Sequence, residues 1–517
     1  MAIQTQALPL PSEDPYSVSL EKEPAALQGY LKDASHFQGK ADQIVFPTNE
    51  KQIAQLLLRA NEAKIPVTVS GAGTGLTGAR VPSSGIILST ERMNKILETH
   101  WDEKAQEGYV IVQPGVSLKQ LEEALEKKGL FYPPNPGEKA AFIGGTVATN
   151  ASGARSFKYG PTRRYVRRLR IILSNGDLLE CRRDRERETG GIFEFTLSDG
   201  KKVEFALPSY SLPQVKSSAG YYTKAGMDLL DLFIGSEGTL GIFSEVELRI
   251  LKKPEGIFGG ILFFPSEKEC AQFGSEVRRI GRKKMRDLRL DPRVLEFFDS
   301  QSLALLLQRH PEIPERAGAA LFFEQELDPE NEPVICQAWK EEAKKFHAFI
   351  EDSWLSTHPK DQQTFRQFRY DLPALVNEQV ALNKSRKIGT DLAVPDEKAE
   401  LMLDFYLEKL KNSGIPYCLF GHLGDNHLHV NFLPKTAVEF DRGKILYSTL
   451  AKKALELGGT ISAEHGVGKL RIPYLEMMFG RQGLKEMARI KNALDPHGIL
   501  NPGNIIPAEL LHENWRR

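Results

Sequence analysis

Three stretches dominated by glycine and other small residues, spaced through the first half of the chain, constrain its fold more than any other feature. The first is Val67-Thr-Val-Ser-Gly-Ala-Gly-Thr-Gly-Leu-Thr-Gly78, with four glycines in eight residues directly after an apolar run that reads as a strand. Glycine permits positive φ and a close backbone approach, so successive N–H groups can face phosphate oxygens. No Lys-Ser/Thr follows, which sets aside the Walker A loop. Pro82 and Ser83-Ser84-Gly85 cut the segment before any long helix, which argues against a G-x-G-x-x-G dinucleotide turn. Alone, this loop suits a tight structural turn as well as a phosphate cradle. The second stretch, Pro133-Pro-Asn-Pro-Gly-Glu followed by Ile143-Gly-Gly-Thr-Val-Ala-Thr-Asn-Ala-Ser-Gly-Ala-Arg155, and the third, Ile234-Gly-Ser-Glu-Gly-Thr-Leu-Gly-Ile242, shift that balance. Three such stretches in one domain imply a long ligand threaded between backbones, and a dinucleotide has that size.

The surrounding pattern is layered helix and sheet. Residues 1–36 read as a polar lead-in with a helical stretch from Glu23 to Lys32. Gln43–Phe46, Ile65–Ser70, Gly85–Leu88 and Tyr109–Val112 read as strands. Thr48-Asn-Glu-Lys caps a helix with apolar Ile53, Leu56, Leu57 and Ala60. Ser117 opens another helix, running to Lys128. Asn175-Gly176 joins two apolar runs as a hairpin turn. Near Pro254 the texture changes to long charged helices (266–282, 334–351, 396–412) interleaved with strands such as Ala319–Phe323. A last helix from Gln482 is stopped by Asp495-Pro-His-Gly. The expected fold class is α+β, with a lead-in (1–36), a ligand-binding domain (37–254), a second α+β domain with an antiparallel sheet (255–480) and a C-terminal segment (481–517) returning to the first.

Charge narrows the function classes. With 68 Lys+Arg against 68 Asp+Glu the formal net charge is zero, where nucleic-acid binders usually carry a basic excess. Residues 182–188 mix both signs and read as a solvated loop. The basic strip Arg163-Arg-Tyr-Val-Arg-Arg-Leu-Arg170 reads as a solvated strand edge. Cys181, Cys270, Cys336 and Cys418 are far apart and form no C-x-x-C, so buried free thiols are expected rather than zinc or Fe–S ligands. No apolar run reaches the ~20 residues that span a bilayer, and no secretory signal pattern is visible. A cytoplasmic protein is expected, with peripheral membrane contact left open.

Pro416-Tyr-Cys-Leu-Phe-Gly-His-Leu-Gly-Asp-Asn-His-Leu-His-Val-Asn-Phe-Leu-Pro434 is the most informative segment. Beyond Asn426, His427, His429 and Asn431 alternate with Leu428, Val430 and Phe432, so the polar trio shares one strand face. A two-residue Asp425-Asn426 turn would set His422 directly opposite His429, ~5 Å apart at Cβ and able to share a metal. Thr460-Ile-Ser-Ala-Glu-His-Gly-Val-Gly468 offers the carboxylate, Glu464, flanked by small residues. Zinc-type cations accept imidazole and carboxylate together.

These motifs resemble those of the FAD-linked oxidases of the vanillyl-alcohol oxidase superfamily (PCMH-type FAD-binding). The likeness covers roughly residues 33–505 and is greatest to the D-lactate, glycolate and D-2-hydroxyglutarate dehydrogenase branch. It implies a two-subdomain FAD-binding domain followed by a substrate (cap) domain. By that likeness Ser70, Gly71, Ala72, Gly73, Thr74 and Gly75 bind the FAD pyrophosphate. Pro134, Gly144, Gly145, Thr146, Ala148, Thr149, Asn150 and Gly153 line the flavin and diphosphate. Glu237, Gly238, Thr239, Leu240, Gly241 and Ile242 hold the adenosine side, and Asn501-Pro502-Gly503 returns from the chain end. Members that tie flavin covalently through the first loop carry a His there; this loop has none, which implies dissociable FAD. The likeness further implies a divalent metal, zinc or manganese, on His422, His429 and Glu464. It makes His465 the catalytic base and gives Asn431, Arg369 and Lys387 to the substrate. Arg366 and Arg386 are neighbours that could be confused with the last two. His427 stands where many relatives have Asn.

The implied reaction is oxidation of a D-2-hydroxy acid to the 2-oxo acid with hydride transfer to flavin N5. Electrons then pass to a quinone, flavoprotein, cytochrome or oxygen, and a homodimer is expected. Alternatives are a flavin subunit that needs an Fe–S partner and, from another class, a metal-dependent hydrolase with structural glycine loops. An ether-lipid synthase is a third, but its histidine-run motif is not found here.

Overall fold

The computed structural model describes Thr5, Leu20, Glu21 and residues 27–282 and 289–513. Of the helix expected at Glu23–Lys32, residues 23–26 lie outside them; within them it is reduced to one 3₁₀ turn, Gln28–Tyr30. The glycine-rich half is built on two main sheets, besides a two-stranded hairpin of Ile192–Thr196 and Lys202–Ala206. In the first, Gln43–Val45, Ile86–Ser89 and Val67–Ser70 run parallel, with Leu20–Glu21 antiparallel at the edge. Helix Glu50–Ala63 covers this sheet. It starts where Asn49 accepts a hydrogen bond from the Gln52 N–H (3.1 Å), and buries Ile53, Leu57 and Ala60 as the 3.6-residue period requires.

The second sheet is antiparallel, in the order Ile96–Asp102, Glu107–Val112, Ile242–Lys252, Val166–Ile172, Leu178–Arg182, with Leu130–Phe131 also on Ile242–Lys252. The Asn175-Gly176 turn joins its last pair, with Gly176 at φ 85°. Ser117 caps helix Leu118–Glu126 in a reciprocal box with Gln120.

The basic strip 163–170 is not a solvated edge. Val166–Ile172 is an interior strand between two others, and its Arg168 is 7% exposed. Leu169 and Ile171 face the core. Arg168 reaches Glu180 and Glu245 at 3.2 and 3.0 Å, Arg170 reaches Glu50 at 2.8 Å, and Arg163 reaches Asp231 at 3.0 Å. Carboxylates distant in sequence neutralise the strip. Residues 182–188 are largely exposed, as their mixed charge predicts.

Between Lys252 and Gly256 the chain passes into an eight-stranded antiparallel sheet. Its order is Trp354–Ser356, Gly256–Phe264, Ala319–Leu327, Pro292–Asp299, Tyr417–His422, His427–Phe432, Ile388–Gly389, with Leu392–Ala393 also paired to His427–Phe432. Pro292–Asp299 is buried along its whole length, charged Arg293, Glu296 and Asp299 included, and Glu296 sits between apolar Val294-Leu295 and Phe297-Phe298. Helices Glu267–Arg282, Glu332–Lys345 and Ala399–Lys411 occupy the ranges where charged helices are predicted.

The last helix starts just after a break at Gly480 (φ 67°), close to the expected Gln482, and another helix runs from Ile472 up to that break. Beyond it Leu500 bridges to Val67, and the Asn501 N–H donates to the Val67 carbonyl at 2.9 Å, returning the chain end to the first sheet. All four cysteines are free; Cys181, Cys270 and Cys418 are buried and Cys336 is half-buried. No helix among the described residues is long and apolar enough to cross a membrane.

Candidate functional site

The histidine hairpin pairs in a register two residues from the one expected. Leu423–Asp425 forms a 3₁₀ turn and Asn426 adopts the left-handed conformation (φ 50°), so the connection takes four residues rather than two. His422 therefore lies opposite His427, and His429 lies opposite Phe420. A shift of two keeps the faces. His422, His427 and His429 still point to one side, and the His422 and His429 rings are 5.6 Å apart at their centroids.

Two ring nitrogens converge on one carboxylate oxygen. His422 Nε2 is 3.1 Å and His429 Nε2 3.4 Å from Glu464 Oε1. The opposite nitrogen of each ring is already held. His422 Nδ1 is 2.5 Å from Glu296 Oε1, and His429 Nδ1 donates to the Thr390 carbonyl at 2.9 Å. Such outer partners fix the ring orientations and leave both Nε2 atoms aimed at a common point. Burial opposes charge on His422, but Glu296 and Glu464 beside it push its pKa up to about 9. Burial would raise Glu296, yet His422 and Arg369 hold it down at about 2. Glu464 is likewise held well below the carboxylate range, against burial, by His422 and Lys216. Glu464 is thus an ionised ligand aimed at two pre-oriented rings, and a divalent cation would displace the His422 proton to complete the set.

Three neighbours have no counterpart in the sequence reading. Lys216 Nζ lies 3.3 Å from Glu464 Oε2 and 3.4 Å from Asp425, with 5% of its side chain exposed. Glu296 bridges His422 and Arg369. Asp391, fully buried, accepts from the His465 backbone N–H (2.9 Å), the Ser462 hydroxyl (2.9 Å) and Arg471 (2.5 Å), and lies 2.8 Å from His427 Nε2. The available signal was a lone carboxylate inside an apolar run: Val294-Leu-Glu-Phe-Phe for Glu296, Asp391-Leu-Ala-Val for Asp391. Lys216 offers none.

His465 stacks on His429 at 5.2 Å, with Nε2 3.5 Å from Glu464 Oε1. Its Nδ1 edge faces Arg471 (3.4 Å) and Asp391 Oδ2 (3.6 Å). Burial brings its pKa down to about 4, despite Asp391 and Glu464 nearby. Arg369 is buried, with Nε on Glu296 at 3.2 Å. Asn431 lies opposite Gly389 on the face of the histidines. Lys387, two residues before Gly389, has its pKa lowered by burial and no ion-pair partner among the described residues. No measured contact joins Lys387 or Asn431 to the cluster.

The residues expected at the cofactor divide into two groups. Gly71, Ala72, Gly73, Thr74 and Gly75 are accessible, as are Gly145, Ala148 and Thr149. A Cβ on Gly145 would meet nothing within 4 Å, so that backbone opens onto free space. Accessible small-residue backbone of this kind fits a cofactor lying against it. Ser70, Pro134, Gly144, Thr146, Asn150, Gly153, Gly238, Thr239, Leu240, Gly241 and Ile242 are buried and shape the loops from behind. Glu237 (φ 53°) is also committed: its carboxylate accepts the Val467 and Gly468 N–H groups at 2.6 and 2.7 Å, and burial raises its pKa to about 7. Asn501 accepts from Val69 N–H and donates to the Glu237 carbonyl, both at 2.8 Å. The two halves meet where Ser152, between Asn150 and Gly153, donates to Glu464 Oε2 at 3.1 Å.

Comparison with known proteins gives concordant matches. Residues 41–182 match the family described as FAD binding domain, and residues 260–505 match FAD linked oxidases, C-terminal domain. The glycolate oxidase subunit GlcD of Bacillus subtilis is 33% identical over 490 residues, covering 92% of this chain and 91% of that protein. A D-lactate dehydrogenase of Anaerostipes hadrus is 32% identical over 494 residues (92% of each chain). A D-2-hydroxyglutarate dehydrogenase of Xanthomonas citri is 30% identical over 505 residues (95% of this chain, 94% of that protein). Among solved structures, an alkyldihydroxyacetonephosphate synthase superposes with a TM-score of 0.64 at 18% identity, covering 97% of this chain and 88% of that one, a likeness of fold.

Proposed function

The chain belongs to the FAD-linked oxidases and is an oxidoreductase of the D-lactate, glycolate and D-2-hydroxyglutarate dehydrogenase type; on that footing we propose that it oxidises a D-2-hydroxy acid to the 2-oxo acid with a divalent cation at the His/Glu cluster. The observation that carries this reading is the convergence of His422 Nε2 and His429 Nε2 on Glu464 Oε1 beside His465. When bound, FAD supplies the hydride acceptor and the cation supplies a Lewis acid that lowers the hydroxyl pKa.

The chain's own residues do the rest. His465, neutral at pH 7, takes the hydroxyl proton at Nε2, the nitrogen on the Glu464 side. Asp391 and Arg471 hold the opposite edge of the ring and orient it. Arg369, charged and buried, receives the substrate carboxylate through the Nη groups that its Glu296 contact leaves over. Lys387, desolvated and unpaired among the described residues, is the second carboxylate partner, and Asn431 forms the adjacent wall. The accessible glycines of 71–75 and Gly145 carry the dissociable FAD. Electrons then leave for an acceptor outside this chain: a quinone, flavoprotein, cytochrome, oxygen or Fe–S partner.

Anaerobic titration of the purified yellow protein with paired D- and L-2-hydroxy acids tests this. Bleaching by D-acids is expected. A colourless protein that takes up no FAD, or one that no D-2-hydroxy acid bleaches, would overturn it.

A further inference from the structure

We propose that His427 supplies a fourth protein ligand to the cation held by His422, His429 and Glu464. The inference rests on the metal reading above, but makes a separate claim about ligand number. His427 is fully buried and sits directly opposite His422 in the hairpin, one strand step from His429 on the same face. Its ring centroid is 4.3 Å from that of His429 and 5.3 Å from that of His422. One of its ring nitrogens lies within 4.8 Å of a ligand atom from each of His422, His429 and Glu464.

The orientation of the ring decides its role. Nε2 is 2.8 Å from Asp391 Oδ1. A carboxylate oxygen beside Nε2 favours the tautomer with its proton there and leaves the lone pair on Nδ1. Both ring nitrogens are buried without a well-formed hydrogen bond among the described residues, Nε2 having only the Asp391 oxygen beside it. A buried acceptor with nothing to accept is costly, and an imidazole with one nitrogen on a carboxylate and the other bare is the usual state of a metal ligand. All three rings then follow one plan, each with one nitrogen beside an outer oxygen: Glu296 for His422, the Thr390 carbonyl for His429, Asp391 for His427.

A ligand count of four has a consequence for metal choice. Three imidazoles and a carboxylate would complete a tetrahedral zinc site with no position for substrate. Turnover then requires a cation that accepts five or six ligands, which favours manganese, iron or cobalt over zinc.

Cobalt(II) loaded into the FAD-containing protein is the probe. Each metal-bound ring here keeps one N–H, so three hyperfine-shifted proton resonances that disappear in deuterated water are expected, and two would overturn the proposal. Because this count needs no variant, it stands even if changes at a buried position impair folding. In His427→Asn, one resonance is expected to vanish and cobalt affinity to fall at least about 10-fold, with FAD content unchanged. Unchanged affinity and count would sink the assignment. A wild-type protein that takes up no cobalt would refute the metal reading itself, an outcome distinct from binding through two histidines alone.

Discussion

Glu296 Oε1 lies 2.5 Å from His422 Nδ1, and the other oxygen of the same carboxylate lies 3.2 Å from Arg369 Nε, so one buried anion fixes at once the ring proposed to bind the cation and the arginine proposed to receive the substrate. Replacing Glu296 with Gln removes the charge both depend on. Cation affinity is expected to fall about 10–100-fold, the cost typical of losing an outer partner. Metal content after dialysis against graded free cation checks this, and an unchanged affinity would mean that Glu296 serves packing alone.

Lys216 stands at Glu464 and Asp425 much as a cation would. Changing it to Met removes the lysine charge facing two half-buried carboxylates and leaves Glu464 only His422, at a cost of about 3–5 kcal/mol to the metal-free protein. A divalent cation should restore much of that. The rise in Tm on adding manganese should therefore be larger in Lys216→Met than in the parent. An equal rise would show that lysine and cation do not share the site.

For His465, substitution by Gln keeps the shape and removes the base. Flavin reduction by substrate should slow by about 10²–10⁴-fold. FAD should stay bound, since His465 lies outside the accessible glycine loops. Stopped-flow reduction under anaerobic conditions gives the rate. A parental rate would remove His465 from the chemistry.

A fourth expectation concerns pH and is independent of the site. Asp299 caps helix Ser300–Leu306, accepting from Ser302 N–H at 2.8 Å and Leu419 N–H at 3.1 Å, yet burial raises its pKa to about 7. The folded state therefore holds a proton that the unfolded chain releases near 4. This contribution to stability is full below about pH 4, declines as pH rises, and is gone above about 7. Asp299→Asn cannot titrate, so the Tm of the parent minus that of the variant should shrink across this window. A difference that grew with pH would contradict the sign.

What could be read from the sequence was local. The Asn49 and Ser117 caps and the Asn175-Gly176 turn act within a few residues of themselves, and each forms as its chemistry requires. The alternation His427, Leu428, His429 set the correct face. The register was not legible, because it depends on Asn426 entering the left-handed region and lengthening the turn. The second layer of the site was hidden for another reason. Glu296, Asp391 and Lys216 come from three separate segments, and only strand pairing between 292–299, 388–393 and 417–432 brings the two carboxylates to the histidines. The basic strip failed similarly: nothing in residues 163–170 says that Glu50, Glu180 and Glu245 will lie across from them.

Glu237 grows from the third glycine-rich stretch, yet its carboxylate grips the backbone of Val467 and Gly468, three and four residues past Glu464. The loop that presents the proposed base and one proposed cation ligand is thus moored to the cofactor-side domain. Two ligands that each favour the same setting of a shared loop must assist each other by equal free energies. Retention of the flavin and capture of the cation then become reciprocal, and an enzyme stripped of either should hold the other more loosely.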